Sequence, residues 1–178
     1  MEKLKKRRLW LLAGIPGAGK TTWIANHKHF FAEDYKVVSR DKIRFELLDT
    51  YGDANGYFSN EKEVWERYVA EAKISLNDNT DTILDATHIN EASRGKILRA
   101  IGSYLKDVEV NIIVINVTLG TALERNEMRE GRAHVPESAI RRMASQMTLP
   151  SLEEGFDHIY IYEEENGKVK YQILENKE

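Results

Sequence analysis

Three kinds of residue in this chain could do chemistry together: a lysine and threonines closing a glycine-rich run, aspartates that follow apolar stretches, and arginines spaced a helical turn apart. The first is Gly14-Ile15-Pro16-Gly17-Ala18-Gly19-Lys20-Thr21-Thr22. Glycines at this spacing let backbone N–H groups converge on an anion. The lysine after them reaches terminal phosphates, and the next hydroxyl ligates Mg²⁺. An apolar stretch, Arg8 to Ala13, precedes the run and a helical pattern from Lys20 to about Lys28 follows it, the context that phosphate cradling requires. We therefore expect ATP with Mg²⁺, its phosphates held by Gly14, Pro16, Gly17, Ala18, Gly19, Lys20, Thr21 and Thr22, with Thr21 on the metal.

Transfer of a phosphoryl group to a hydroxyl needs a carboxylate near the nucleophile and cations around the moving group. Asp41 follows a second predicted strand, Tyr35 to Ser39, between Arg40 and Arg44. Ligands of parallel α/β sheets bind beyond the carboxyl ends of strands, which suits a catalytic Asp41; a helix N-cap suits it as well. Asp85 ends a third predicted strand, Thr80 to Asp85, and either orients the Mg²⁺ shell or caps a turn. Thr87 and His88 follow in the same loop, as substrate contacts or solvated side chains. Arg125 and Arg129 share a helix face with Arg132 beyond, which gives either a lid over the phosphates or surface charge interleaved with Glu124, Glu127 and Glu130.

The elements that must position these groups alternate. Asp41 to Leu48 reads as a helix with Ile43, Leu47 and Leu48 on one face, and Asp49 to Asn60 as a polar loop. A helix starts at Ser59 and carries Val64, Tyr68, Ala72 and Leu76. Asn90 to Leu105 is a further helix, Val108 to Val117 a β-branched strand and Leu119 to Arg129 a helix. Glu130 to Val135 is a charged linker, and Pro136 opens a helix to about Met147. Phe156 to Tyr162 and Val169 to Leu174, joined by Asn166-Gly167, predict a hairpin. The expectation is one three-layer α/β domain over residues 1–178 with a mostly parallel sheet, a lid at about 125–136 and a C-terminal hairpin at about 156–174.

Composition narrows the class. At 178 residues and 42% hydrophobic, one well-buried core is expected. The absence of cysteine removes disulfides, thiolate metal sites and thiol nucleophiles. No apolar run long enough for a membrane span and no signal-peptide pattern are present, so a cytoplasmic location is expected. A net charge of −3 excludes the strongly basic field of a non-specific nucleic-acid binder, although a local basic groove stays open. The densest basic run, Lys3, Lys5, Lys6, Arg7 and Arg8, reads as a solubilising lead-in to the first strand. Oligomeric state is not legible.

Taken in order, Gly14-Ile-Pro-Gly-Ala-Gly-Lys-Thr-Thr-Trp23, Ser39-Arg40-Asp41-Lys-Ile-Arg44, Asp85-Ala-Thr87-His88 and Arg125-Asn126 through Arg129 to Val135-Pro136 resemble the kinase domain of phage-type 5′-polynucleotide kinase, over roughly residues 8 to 150. The resemblance implies a P-loop kinase in which Asp41 accepts the proton of a 5′-hydroxyl and Arg44 holds a phosphate of a nucleic-acid acceptor. It puts Arg125 and Arg129 on the donor phosphates from the lid, and Arg40, Thr87 and His88 on the acceptor side. His88 stands where the family more often has asparagine, and the Asp85-Ala86-Thr87 spacing is one residue longer than in the phage form. No Asp-x-Asp-Gly-Thr phosphatase motif occurs, so no 3′-phosphatase unit is expected. Similar small kinases act on antibiotics, sugars, nucleotide-sugars and aminoacyl-tRNA. A small-molecule or nucleoside-type kinase is therefore the alternative, and a nucleotide-dependent switch without an acceptor the third reading.

Overall fold

A computed structural model describes residues 6–177. The chain runs β1 (Arg7–Ala13), α1 (Lys20–Asn26), β2 (Lys36–Ser39), α2 (Arg40–Tyr51), α3 (Glu61–Asn77), β3 (Thr82–Asp85), α4 (Glu91–Ala100), β4 (Val108–Val117), α5 (Leu119–Glu127), α6 (Glu137–Gln146), β5 (His158–Glu165) and β6 (Lys168–Glu175). The strands form one sheet in the order β2-β3-β1-β4-β5-β6, parallel except for β6, which pairs antiparallel with β5. Because the chain crosses from β3 over β1 to β4, the loops leaving β1 and β3 open side by side at the carboxyl edge of the sheet, where ligands bind in such folds.

The strands' apolar residues are divided between two cores because side chains alternate across a sheet. Leu9, Leu11 and Ala13 of β1 face α2, α3 and α4 through Ile43, Leu47, Val64, Tyr68 and Ile97. Trp10 and Leu12 face the other way, onto Trp23 and Ile24 of α1, Ala122 of α5 and Ile140 of α6. Each buried leucine contributes about 2 kcal/mol. This double burial makes β1 a rigid stem for the loop that follows it.

Several expected boundaries move, each for a local reason. The Asp41–Leu48 helix continues to Tyr51 and stops at Gly52, whose φ of 83° suits a residue without Cβ. The Asn90–Leu105 helix breaks at Ile101, and Gly102–Tyr104 forms a separate 3-10 turn, as the poor helix propensity of glycine favours. Pro136 sits at the N-cap of α6 rather than inside it. The predicted hairpin is present, with Asn166 and Gly167 at φ 51° and 73°, the left-handed pair of a tight turn. Lys3 and Lys5 of the basic run lie outside the described residues. Arg7 bonds the Leu76 carbonyl, and Arg8 pairs with buried Asp81 at 2.6 Å, so these two cations tie β1 into the fold. No helix among the described residues is long and apolar enough to cross a membrane.

Candidate active site

The glycine-rich loop joins β1 to α1. Gly17 and Gly19 sit at φ 85° and 94°, and a Cβ on Gly17 would stand 2.3 Å from the Ala122 carbonyl oxygen, so α5 packs directly on the loop backbone. Gly14 N–H donates to the Thr87 carbonyl at 2.9 Å, which stitches this loop to the one after β3. Lys20 Nζ folds back onto the Gly14 and Ile15 carbonyls at 2.8 and 3.2 Å. Burial lowers its pKa, while the charges of Asp85 and Asp41 oppose that shift. Lys20 thus lies within the field of both candidate carboxylates.

Asp41 is not the cap of α2. Ser39 holds that position, its Oγ accepting from Lys42 N–H at 3.3 Å, and Asp41 sits in the first turn with its side chain 58% exposed. Arg44, one turn on, donates to Asp41 through Nη1 and grips Glu61 with two bonds, Nε to Oε1 at 2.6 Å and Nη2 to Oε2 at 3.0 Å. Its guanidinium carbon lies 5.1 and 5.3 Å from the centres of the Tyr57 and Phe58 rings. Burial alone would lower the Arg44 pKa, but the hydrogen bonds and charge of Glu61, with help from Asp41, raise it well above the ordinary value. Arg40 also pairs with Glu61, at 3.1 Å. The Tyr57 hydroxyl is pushed up to about 12, by burial and then by Asp41. Arg44 is therefore a permanently charged strut for Asp41, already neutralised by Glu61.

Asp85 pairs in register with Ser39 at the ends of β3 and β2. Burial raises its pKa and Asp41 raises it further, while Lys20 and the Thr21 hydroxyl pull it down. Two carboxylates near one another, one of them half-buried, make a site that gains from a cation. Magnesium binds through one or two protein oxygens while keeping waters and substrate phosphates, so a set of Thr21 and Asp85 fits it. Among the described residues no cluster of three or more His, Cys, Asp or Glu forms a ready-made metal cage.

Two of the expected site residues do not line the cavity. His88 does not reach the cavity: it is 5% exposed, its Nδ1 bonds the Leu12 carbonyl of β1, and its Nε2 faces the Tyr68 hydroxyl at 3.0 Å. These partners assign the proton to Nδ1, with Nε2 accepting from Tyr68. Burial pushes the imidazole pKa down to about 3. The residue has φ 38°, a left-handed conformation that asparagine adopts more readily than most residues, which fits the asparagine of similar kinases. Arg125 is the second case. It donates to the Ala18 carbonyl at 3.0 Å and to both Glu164 oxygens at 2.9 Å, so it braces the phosphate loop against β5 from outside the cavity.

Arg129 does line the cavity, and Arg142 and Met143 of α6, which carried no motif in the sequence, stand there with it. Beyond Arg129 the chain crosses to the end of α2, where Arg132 bonds Asp49 and Asp53. The base of this crossing is fixed by Asn126, fully buried, whose side chain exchanges bonds of 2.8 and 2.9 Å with the Val135 backbone. Between these walls lies a cavity of about 510 Å³ that brings together Lys20, Thr21, Asp41, Arg44, Asp85 and Arg129. Arg40 and Thr87 reach it too. Glu61, Tyr57 and Phe58, all lining it, were missed as well; two adjacent aromatics in an otherwise polar loop were the available signal.

The model of the AAA domain family matches residues 9–150. Among solved structures, a chain of the Pnkp1/Rnl/Hen1 RNA repair complex is 24% identical with a TM-score of 0.58, over 82% of this chain and 45% of that one. The chain thus spans less than half the length of that relative. A candidate kinase from Chloroflexus aurantiacus superposes at a TM-score of 0.69, with 14% identity over 90% of this chain and 87% of that one. A sugar kinase from Janibacter gives 0.61, with 16% identity over 88% and 85%. These likenesses are likenesses of fold, and they agree with the sheet order and the phosphate loop described above. The family match covers both the phosphate loop and residues 125–136, and the chain belongs to the AAA domain family of nucleotide-binding proteins, with a P-loop kinase fold.

Proposed function

We propose that this single domain transfers the γ-phosphoryl group of ATP to the 5′-hydroxyl end of a polynucleotide. The observation that carries the reading is that one cavity holds both the phosphate-loop Lys20 and a carboxylate, Asp41, steadied by Arg44. The ordered motifs and the fold likeness to a chain of an RNA repair complex support the acceptor.

In this reading Asp41 accepts the proton of the 5′-hydroxyl as its oxygen bonds to the γ-phosphorus and the bond to the β–γ bridging oxygen breaks, releasing ADP. Lys20 and Arg129 take up charge on the moving group, and Arg142 adds a third cation at the cavity wall. Arg44 holds the Asp41 carboxylate in place; Glu61 anchors Arg44. Thr21 and Asp85 would hold Mg²⁺, which when bound neutralises β- and γ-phosphate charge. Thr87, whose carbonyl is tied to Gly14, borders the acceptor.

A second reading, a small hydroxylated metabolite as acceptor, draws on two features: Arg132 closes the crossing onto α2, and Glu61 cancels the charge of Arg44. The test is transfer of labelled γ-phosphate to a 5′-hydroxyl oligonucleotide, with a 5′-phosphorylated oligonucleotide as control. Label on the 5′-hydroxyl strand alone supports the polynucleotide reading. ATP binding with no transfer to the oligonucleotide rejects it in favour of a metabolite.

A further inference from the structure

Leading away from the cavity, one run of side chains alternates cations with aromatic rings and has no part in the chemistry above. Arg40, on the cavity wall, sets its guanidinium carbon 5.8 Å from the centre of the Trp65 ring and 5.7 Å from that of Tyr68. From α4, Lys96 sets its ammonium nitrogen 4.2 Å from the same Trp65 ring. Trp65 is half-buried and Lys96 exposed, and Arg99, one turn further along α4, is exposed too. Among the described residues the one ion pair made from α4 is that of Arg94 with Glu154, so neither Lys96 nor Arg99 has a carboxylate partner there.

A ring face attracts a cation, but two cations gathered at one indole repel each other, and an anion between or beside them relieves that repulsion. Arg40 shares Glu61; Lys96 has the ring alone. A charged groove with aromatic side chains that follows the backbone is how single strands are bound without regard to sequence. An acceptor ending inside the cavity would never meet α4. Resting on the polynucleotide reading, we infer that Arg40, Trp65, Lys96 and Arg99 form a track along α3 and α4 for the acceptor strand. It takes the phosphates of the nucleotides that follow the 5′ end, and Trp65 is the platform that holds its cations in place.

The test is binding of a ten-nucleotide 5′-hydroxyl oligothymidylate, labelled at its 3′ end, followed by fluorescence anisotropy across a salt series. Lys96→Glu and Arg99→Glu are compared with the parent, and transfer by the parent to a dinucleotide and to the ten-mer is measured alongside. Loss of one phosphate contact weakens binding about tenfold and makes the log–log salt dependence shallower by about one for each site. Ten-mer binding by both variants equal to the parent's, with unchanged salt dependence, overturns the track while transfer by the parent leaves the kinase reading standing. No transfer by the parent to either oligonucleotide overturns the reading and the track together.

Discussion

Glu61 grips Arg44 with two parallel hydrogen bonds, of 2.6 and 3.0 Å, from the first turn of the neighbouring helix. Arg44 is almost wholly buried, so its charge has few other partners, and its remaining nitrogen serves Asp41. Glu61→Gln keeps the shape and removes the charge. We expect a loss of about 2 kcal/mol in stability, seen as a melting temperature lower by about 4–8 °C, together with a fall in kcat as Asp41 loses its steady neighbour. Unchanged melting and unchanged kcat would mean that the pair is ornamental.

His88 supplies a pH dependence. Its folded pKa is depressed to about 3, below the ordinary 6.5, so the unfolded chain binds one more proton between these values. The stability tied to neutral His88 is complete above pH 6.5 and is lost as the pH falls toward 3, with a slope approaching about 1.4 kcal/mol per pH unit. Urea unfolding of the parent and of His88→Asn from pH 7 to 4 measures this. Asparagine tolerates the left-handed backbone, so the variant folds and its curve lacks the His88 contribution. Identical slopes would remove His88 from the acid response.

Gly17→Ala sets a Cβ against the Ala122 carbonyl and forces a side chain onto φ 85°. The strain should cost about 2–4 kcal/mol and displace the loop from α5, weakening nucleotide binding even where the protein still folds. Calorimetric titration with ATP and a thermal melt read both effects, and an unperturbed variant would contradict the packing described for α5.

Lys20→Ala removes the ammonium that lies between the loop carbonyls and the two carboxylates. Its charge-assisted bonds to phosphate are worth about 1.5–3 kcal/mol, so ATP affinity should fall about 10- to 150-fold and transfer should fall with it. Unchanged affinity would count against phosphate binding at this loop.

How much of this was legible beforehand followed the range of the interactions. The phosphate loop, the strand before it and the Asn166-Gly167 turn are written in local residue chemistry, and the structure contains them. The burial of His88 was not, because it depends on Leu12 and on Tyr68, 76 and 20 residues away. Arg125 read as a lid residue because helical spacing aligned it with Arg129, but its partner Glu164 lies 39 residues on, in a strand whose place in the sheet no local pattern reveals. Arg142 and Glu61 belong to no motif; only the closing of α6 and α3 around the cavity brings them in. Ser39 and Asp41 both suit a helix start, and backbone geometry chose Ser39, which left Asp41 free to face the cavity.

The central claim is that Asp41 takes the proton of a 5′-hydroxyl, and the most direct test is transfer of labelled γ-phosphate to a 5′-hydroxyl oligonucleotide by the parent and by Asp41→Asn at saturating ATP. The account predicts unchanged ATP affinity and a transfer rate lower by about 10²- to 10⁴-fold in the variant. Equal rates in the two proteins would contradict it.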